Sequence, residues 1–136
     1  MARYAYLDSS AIVKFVWPED ESDALERRVL EYEGLLSSRL SDAEVRRAIA
    51  RNQKLRLLQQ AKEVFEAIVF VDVTRAILNR AAALTPPVLR TLDAIHLATA
   101  LGLNIADLDF ITYDVRLARA ARGHGLTVPI QPKATR

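Results

Sequence analysis

Short apolar segments alternate with helix-patterned segments along the whole chain, and this alternation restricts the fold more than any other feature of the sequence. Five segments have the length and apolar character of buried strands: residues 4–7, 35–38, 69–73, 109–112 and 126–128. Between them, helical patterns cover residues 11–17, 19–33, 41–52, 55–67, 74–84, 92–101 and 114–123. Strands that alternate with helices predict an α/β fold with a parallel sheet covered on both faces.

The length of the chain, 136 residues, is that of one typical domain. Hydrophobic residues make up 51% of the sequence, which is enough to form a core. The sequence has no internal repeat and no linker long enough to divide domains. Residues 1–136 are therefore predicted to form a single domain, with a loose tail from about Pro129.

Composition also bears on the compartment. The chain has no cysteine, which excludes disulfides and thiolate zinc sites and is typical of a reducing compartment. The first residues contain no signal-peptide hydrophobic region, and no apolar run approaches the ~20 residues of a membrane span. These observations predict a cytoplasmic protein that has no membrane partner.

The distribution of charge is more informative than the net charge of +2. Residues 39–62 carry seven basic side chains against Asp42 and Glu44. Basic side chains also follow Asp114 in the last part of the chain. Such segments would attract a phosphate backbone, although a solvated helix face explains a charge run on its own equally simply.

Four carboxylates stand at positions from which they can converge. Asp8 follows the first predicted strand and Asp114 the fourth, and ligand sites in open α/β sheets lie beyond the carboxyl ends of strands. Both are also explained as helix N-caps. Asp93 lies in a segment that is apolar nearly all round, where an unpaired charge is very costly, so a functional role is favoured. Glu44 is the fourth residue of a Ser41 capping box, and its spacing alone favours that structural role.

Carboxylates at the ends of neighbouring parallel strands would repel each other and raise the affinity of the site for protons or for a cation. All-oxygen ligation suits Mg²⁺ or Mn²⁺. Such an ion polarises a phosphoryl oxygen and lowers the pKa of a bound water. The four acids therefore predict a divalent metal site that hydrolyses a phosphodiester bond.

Hydroxyl groups and arginines surround these acids in the sequence. Ser9, Ser10 and Thr112 are predicted to hydrogen-bond either the carboxylates or a substrate phosphate, although capping and strand propensity explain them equally well. Arg47 and Arg51 follow Glu44 on the same side of its predicted helix. They would hold substrate phosphates or, alternatively, form ion pairs with the acidic segment 19–33.

His96 lies three residues after Asp93 and shares its helix face. A lone histidine in an apolar helix is more often a satisfied core residue than a base or a ligand. The predicted site therefore excludes it.

Taken in order, four segments resemble the PIN-domain ribonucleases, and specifically the VapC-type toxins of toxin–antitoxin systems: residues 6–11, 40–45, 89–98 and 110–114. The resemblance implies a PIN-like three-layer sandwich with a central, parallel, five-stranded sheet. It also implies an endoribonuclease that depends on Mg²⁺ or Mn²⁺. The catalytic acids of the family correspond to Asp8, Glu44, Asp93 and Asp114. Asp8 and Asp93 would ligate the metal directly, Asp114 is included in the metal site, and Glu44 would complete the acidic pocket.

The same resemblance implies partners. Family members dimerise and are blocked by a cognate antitoxin that occludes the acidic pocket, so a homodimer and an antitoxin are expected. The substrate would be RNA, and a tRNA or another structured RNA is a reasonable target because sequence-specific proteins read unpaired loops.

Two other classes of protein compete with this interpretation. A catalytically silent PIN-like module that binds protein or RNA would lack at least one acid, and all four are present. A haloacid-dehalogenase-like phosphatase needs a second Asp two residues after Asp8, where Ser10 stands. A response-regulator receiver usually has acids just before its phosphorylated Asp, where Tyr6 and Leu7 stand.

Overall fold

The computed structural model describes residues 3–133 and contains a parallel sheet at its centre. Its four strands are β1 (Tyr4–Leu7), β2 (Gly34–Ser38), β3 (Val69–Val71) and β4 (Leu108–Ile111). They are arranged in the order β3-β2-β1-β4, and every neighbouring pair is parallel. The first and last strands of the sheet thus lie side by side, with β4 at one edge of the sheet and Leu7 in register with Ile111.

Seven α-helices connect and cover the strands: α1 (Ser9–Val16), α2 (Ser22–Val29), α3 (Leu40–Arg51), α4 (Leu58–Glu66), α5 (Arg75–Ala83), α6 (Thr91–Gly102) and α7 (Val115–Gly123). A 3-10 turn (Leu55–Leu57) precedes α4. The predicted α/β class and element order are confirmed. Helix starts are less accurate, since α6 begins at Thr91 with Arg90 at its N-cap, whereas the predicted helical pattern began at residue 92.

Each face of the sheet has its own core, because successive strand residues point to opposite sides. Ala5 and Leu7 are fully buried in a cluster with side chains of α1, α2, α3 and α4. Tyr6 is fully buried in a second cluster with side chains of α6 and α7. Its ring stacks on Phe110 of β4 with centroids 5.2 Å apart. The prediction of helices on both faces is therefore confirmed.

The prediction of a fifth strand is wrong. Residues 126–128 make a single parallel bridge to β4, between Asp109 and Thr127. Phe110 donates its N–H to the carbonyl of Thr127 at 2.8 Å. Pro129 follows immediately and has no N–H to continue the ladder, so within residues 3–133 the sheet has four strands.

The segment expected to form a loose tail lies partly within the described residues. Ile130 packs against the core cluster of α1–α4, and Gln131 accepts a hydrogen bond from Arg122 of α7 at 2.5 Å. Residues 134–136 lie outside the described part of the chain. Over residues 3–133, none of the helices has the length and apolar character needed to cross a lipid bilayer.

Candidate active site

Asp8 lies directly beyond β1 and is held by three hydrogen bonds. Its Oδ1 accepts the N–H of Ala11 at 3.0 Å and the hydroxyl of Ser10 at 2.7 Å. Its Oδ2 accepts the hydroxyl of Thr112 at 2.5 Å. The carboxylate therefore caps α1, as the structural explanation predicted, and at the same time it is fixed from the neighbouring strand.

Burial makes this carboxylate unusual for a cap. Asp8 is only 3% exposed, and its removal from water raises its pKa above the ordinary value. The nearby His96 and the bonds from Thr112, Ser10 and Ala11 act in the opposite direction. A cap on the protein surface would satisfy the helix N-terminus without this desolvation cost, so capping alone does not explain the position.

The end of β4 supplies the second half of the arrangement. Thr112 is fully buried, and besides donating to Asp8 its Oγ1 accepts the N–H of Asp114 at 3.0 Å. Asp114 in turn caps α7, since its Oδ1 accepts the N–H of Leu117 at 2.9 Å. Of the two roles predicted for Thr112, the structure shows the bond to a carboxylate. The β4 end thus orients Asp8 and places Asp114 beside the site.

Ser10 forms hydrogen bonds to the residues that follow both β1 and β4. Its hydroxyl donates to Asp8 and accepts the backbone N–H of Tyr113 at 2.9 Å. The prediction that Ser10 bonds a carboxylate is confirmed. Residues about one hundred positions apart in the chain are therefore joined within a single hydrogen-bond network.

Asp93, in the first turn of α6, interacts electrostatically with the other acids. Its pKa is raised from 3.8 to about 6, chiefly by burial and then by repulsion from Asp114 and Asp8. Glu44 adds to this repulsion, and His96 opposes it. Asp93 thus lies within electrostatic reach of the other three acids predicted from the sequence. The rest of α6, from Ala94 to Ala100, is buried, as the apolar pattern predicted.

The raised pKa of Asp93 predicts a specific dependence of stability on pH. As the pH rises from about 4 to 6, the unfolded chain loses the Asp93 proton first, so the folded state binds more protons and becomes less stable relative to the unfolded state. Above this window the loss stays constant. Asp93→Asn should remove this fall, which urea unfolding in EDTA across the window would measure as a widening difference from the wild type.

Asp72→Asn is the matched control, because the Asp72 side chain is 83% exposed. It should follow the wild-type profile. Parallel profiles for the wild type and Asp93→Asn between pH 4 and 6 would contradict an elevated pKa at this position.

Glu44 is positioned by a histidine and not by the predicted capping box. Its Oε1 lies 2.6 Å from Nε2 of His96. The helix α3 begins one residue before Ser41, whose hydroxyl instead contacts that of Ser37 at 2.7 Å. Arg39 is the N-cap residue and its side chain forms no cap bond, while the Ser38 hydroxyl accepts the N–H of Leu40 at 3.1 Å. The capping-box prediction is therefore wrong, because the Ser41 hydroxyl contacts Ser37 of β2 and the Glu44 carboxylate contacts His96.

His96 continues the contact into the core. Its Nδ1 lies 2.7 Å from the hydroxyl of Tyr6, which also accepts the N–H of Ser38 at 3.1 Å. A carboxylate oxygen only accepts, so Nε2 carries the proton that is donated to Glu44, and Nδ1 of the neutral imidazole then accepts the hydroxyl proton of Tyr6. His96 is only 1% exposed. This buried chain from Tyr6 through His96 to Glu44 is called the His96 relay below.

Sequence reasoning identified His96 as a satisfied core residue but did not connect it with the site. Both of its ring nitrogens are indeed satisfied. The available signal was its position three residues after Asp93 on a helix expected to be buried. Its acidic partner, Glu44, is 52 positions away in the chain, and local spacing gives no information on such a contact.

Two clefts open beside the acids, and each contains basic side chains. The α7 cleft, of about 990 Å³, is lined by Arg90, Asp93, Tyr113, Asp114, Arg116, Arg119 and His124, among others. The α3 cleft, of about 540 Å³, is lined by Ser9, Lys14, Glu44, Arg47, Arg51 and Tyr113, among others. The predicted substrate residues Arg47, Arg51 and Ser9 therefore lie in the same cleft as Glu44. Within residues 3–133 neither arginine forms the alternative ion pair with the acidic segment 19–33.

The donor set fits a hard divalent cation in an open site. Among residues 3–133, no three acidic or histidine side chains are arranged to surround one ion, so a closed all-protein cage does not fit. Mg²⁺ is usually held by one or two carboxylates and keeps several waters. Oxygen donors that repel each other, as Asp93 and its neighbours do, suit that mode of binding.

Acids collected at the carboxyl edge of a parallel sheet, between two basic clefts, define an α/β protein suited to act on an anionic, phosphate-containing ligand. A family model described as PIN domain matches residues 5–123. Ribonuclease VapC46 of Mycobacterium tuberculosis is 41% identical over 124 residues, covering 90% of this chain and 94% of that protein. The chain therefore belongs to the PIN-domain family, among its VapC-type members, and the resemblance found in the sequence is confirmed.

Solved structures share the fold at lower identity. A toxin-antitoxin complex from Klebsiella pneumoniae has a TM-score of 0.71 at 19% identity, covering 93% of this chain and 98% of that one. VapC20 of Mycobacterium tuberculosis, a Sarcin-Ricin loop cleaving toxin, has a TM-score of 0.71 at 14% identity, covering 94% and 99% of the two chains.

Proposed function

We propose that this chain is a metal-dependent endoribonuclease and the toxin of a toxin–antitoxin pair. The observation that carries the proposal is the convergence of Asp8, Asp93 and Asp114 from three elements, where burial and then mutual repulsion raise the pKa of Asp93 to about 6. A cluster that repels itself lowers stability, so its presence is explained by a cation that the protein binds. The relationship to a protein named as a ribonuclease supports RNA as the substrate.

In this proposal, Asp8 and Asp93 ligate Mg²⁺ or Mn²⁺ directly, and Asp114 contacts the ion through a bound water, since no three acidic side chains among residues 3–133 are arranged to surround one ion. The bound ion would supply charge stabilisation to a phosphoryl oxygen and a more acidic water. Thr112 and Ser10 hold the Asp8 carboxylate in one orientation.

The remaining assigned residues act around that centre. Glu44 is held next to the site by the His96 relay. The exposed guanidinium groups of Arg47 and Arg51, with Ser9, face the substrate phosphates in the α3 cleft.

The wider role follows from the same family membership. A cognate antitoxin would occlude the acidic pocket, and a solved relative is a toxin-antitoxin complex. The active protein is proposed to be a homodimer in the cytoplasm, where a tRNA or another structured RNA is available to it.

The direct test is cleavage of total cellular RNA by antitoxin-free protein in Mg²⁺ or Mn²⁺ and in EDTA. We expect discrete fragments that require the metal, and sequencing their ends would identify the target. Intact RNA in both metals, or equal cleavage in EDTA, would reject a metal-dependent ribonuclease.

Metal binding should also be visible without RNA. Mn²⁺ at about 100 times its Kd adds about 2.7 kcal/mol to the free energy of unfolding by mass action, which for a domain of this size raises Tm on the order of 10 °C. Differential scanning fluorimetry would measure the shift. Asp93→Asn should reduce it, whereas the exposed Asp72→Asn should retain it. A Tm that millimolar Mn²⁺ leaves unchanged would count against the metal site.

A further inference from the structure

The α3 cleft and the α7 cleft meet at one residue. Tyr113 lines both of them and directly precedes Asp114 in the chain. Glu44 lies in the first cleft, whereas Asp93 and Asp114 lie in the second. The acids therefore occupy the boundary between two grooves and not the end of one, which allows a ligand to enter by one groove and leave by the other.

Each groove carries a pair of exposed arginines on one helix face. Arg47 and Arg51 are four residues apart on α3, and Arg116 and Arg119 are three apart on α7. Residues at these spacings are neighbours on a helix surface, and like charges there destabilise the helix. Within residues 3–133, none of the four lies within 4.0 Å of a carboxylate oxygen. Each pair therefore lowers stability and lacks a compensating anion among the residues that the structure describes.

Tyr113 is fixed at the junction. Its backbone N–H is held by Ser10, which also binds Asp8. Its side chain is half-buried, and the Lys14 Nζ lies 5.0 Å from the ring centroid. An aromatic ring held in place beside the reacting position can stack on a base, and every base offers a face for stacking.

We propose that a single-stranded RNA segment runs continuously through both clefts, with its phosphates held by Arg47 and Arg51 on one side and by Arg116 and Arg119 on the other. A base next to the scissile phosphate stacks on Tyr113. The inference rests on the proposed ribonuclease function and extends it, since it assigns the α7 cleft and the junction tyrosine to the substrate. Unpaired RNA is required because a base within a duplex has both faces covered.

Binding measured without turnover tests this arrangement. The probe is a short fluorescein-labelled RNA without self-complementarity, and Kd is measured by fluorescence anisotropy in EDTA on an Asp8→Asn background. Arg116→Gln with Arg119→Gln should raise Kd at least fivefold and reduce the salt slope of binding by roughly 0.7 for each lost phosphate contact. Arg47→Gln with Arg51→Gln should have the same effect.

The matched control is Arg27→Gln with Arg75→Gln, which removes two exposed arginines that line neither cleft. It should leave Kd within twofold. Tyr113→Ala should raise Kd by roughly five- to a hundredfold, whereas Tyr113→Phe, which keeps the ring, should bind like the parent. If the control pair and the α7 pair weakened RNA binding equally, the effect would be one of net charge, and the proposed RNA path through both clefts would be overturned. Tighter binding of a matched RNA duplex would also overturn it.

The outcome is separable from that of the cleavage assay. If the protein binds RNA as described but cuts none in Mg²⁺ or Mn²⁺, the ribonuclease function is refuted and the proposed RNA path through both clefts still stands. If the protein cuts RNA but binds it equally well without Arg116, Arg119 and the Tyr113 ring, only the proposed RNA path through both clefts is refuted.

Discussion

Asp8→Asn should abolish RNA cleavage while the protein remains folded. The substitution removes the charge but retains an oxygen that can accept the N–H of Ala11 and the hydroxyl of Ser10, and Asn is as good an N-cap as Asp. Loss of several kcal/mol of electrostatic stabilisation, at about 1.4 kcal/mol for each factor of ten, corresponds to a fall of about a thousandfold or more in rate. The substitution removes the charge whose burial raises the pKa of Asp8, so stability at neutral pH should be unchanged or higher.

Asp109→Asn is the control for this prediction, because Asp109 is another buried carboxylate on the same sheet. It is 3% exposed, and it is bonded to Arg3 at 2.7 Å and to the hydroxyl of Tyr32. The loss of a charge-assisted bond should lower the free energy of unfolding by about 1–3 kcal/mol and leave cleavage by the folded protein unaffected.

The two variants should therefore have opposite effects, one on the rate and the other on the unfolding midpoint. Cleavage by Asp8→Asn at a rate near that of the wild type would show that Asp8 is only a helix cap.

His96→Ala should reduce both stability and cleavage. It removes a fully packed ring and leaves the hydroxyl of Tyr6 and the carboxylate of Glu44 without their shared partner. The cavity together with the lost bonds should lower the free energy of unfolding by about 2–4 kcal/mol. Glu44, no longer held at 2.6 Å, should sample other positions, and we expect about a tenfold or greater loss of cleavage, the range typical of residues that orient catalytic groups.

Tyr6→Phe separates the relay from the packing. The ring remains on Phe110, but Nδ1 of His96 loses the proton donor that fixes its tautomer. The expected result is a loss of about 1–2 kcal/mol and a change in the ¹⁵N chemical shifts of the His96 ring, which report the tautomer directly.

His124→Ala is the histidine control. His124 has one ring contact, at 2.7 Å from the carbonyl of Thr85, so it should cost no more than about 1 kcal/mol. Unfolding midpoints that coincide for His96→Ala and His124→Ala would rule out a structural relay through the core.

The parts of the site that the sequence predicts are those fixed by local rules. Asp8 and Asp114 each follow an apolar strand and precede a helix, and both the strand ends and the caps are found where the pattern predicts them. Asp93 is identified because α6 has no polar face on which a carboxylate could be solvated. Periodicity and composition carry this information within a few residues of each acid.

Contacts between distant segments account for what the sequence does not predict. Ser41 has a suitable capping-box partner at Glu44, yet the hydroxyl of Ser37 and the ring of His96 bind these two residues instead. The fifth strand fails because Pro129 ends the pairing after one bridge. The two clefts arise from the packing of helices that are distant in sequence, so their shared tyrosine has no local signature.

The pairing of β1 with β4 has a consequence for protein synthesis. The ribosome makes β1 first and β4 last among the four strands, and the bonds that Thr112 donates to Asp8 and that Ser10 accepts from Tyr113 form only after the end of β4 has been made. A nascent chain that already carries Asp8, Glu44 and Asp93 still lacks Asp114 and the Thr112 hydroxyl that orients Asp8. The four acids are therefore brought together only after translation has passed residue 114, so shorter polypeptides lack the complete site.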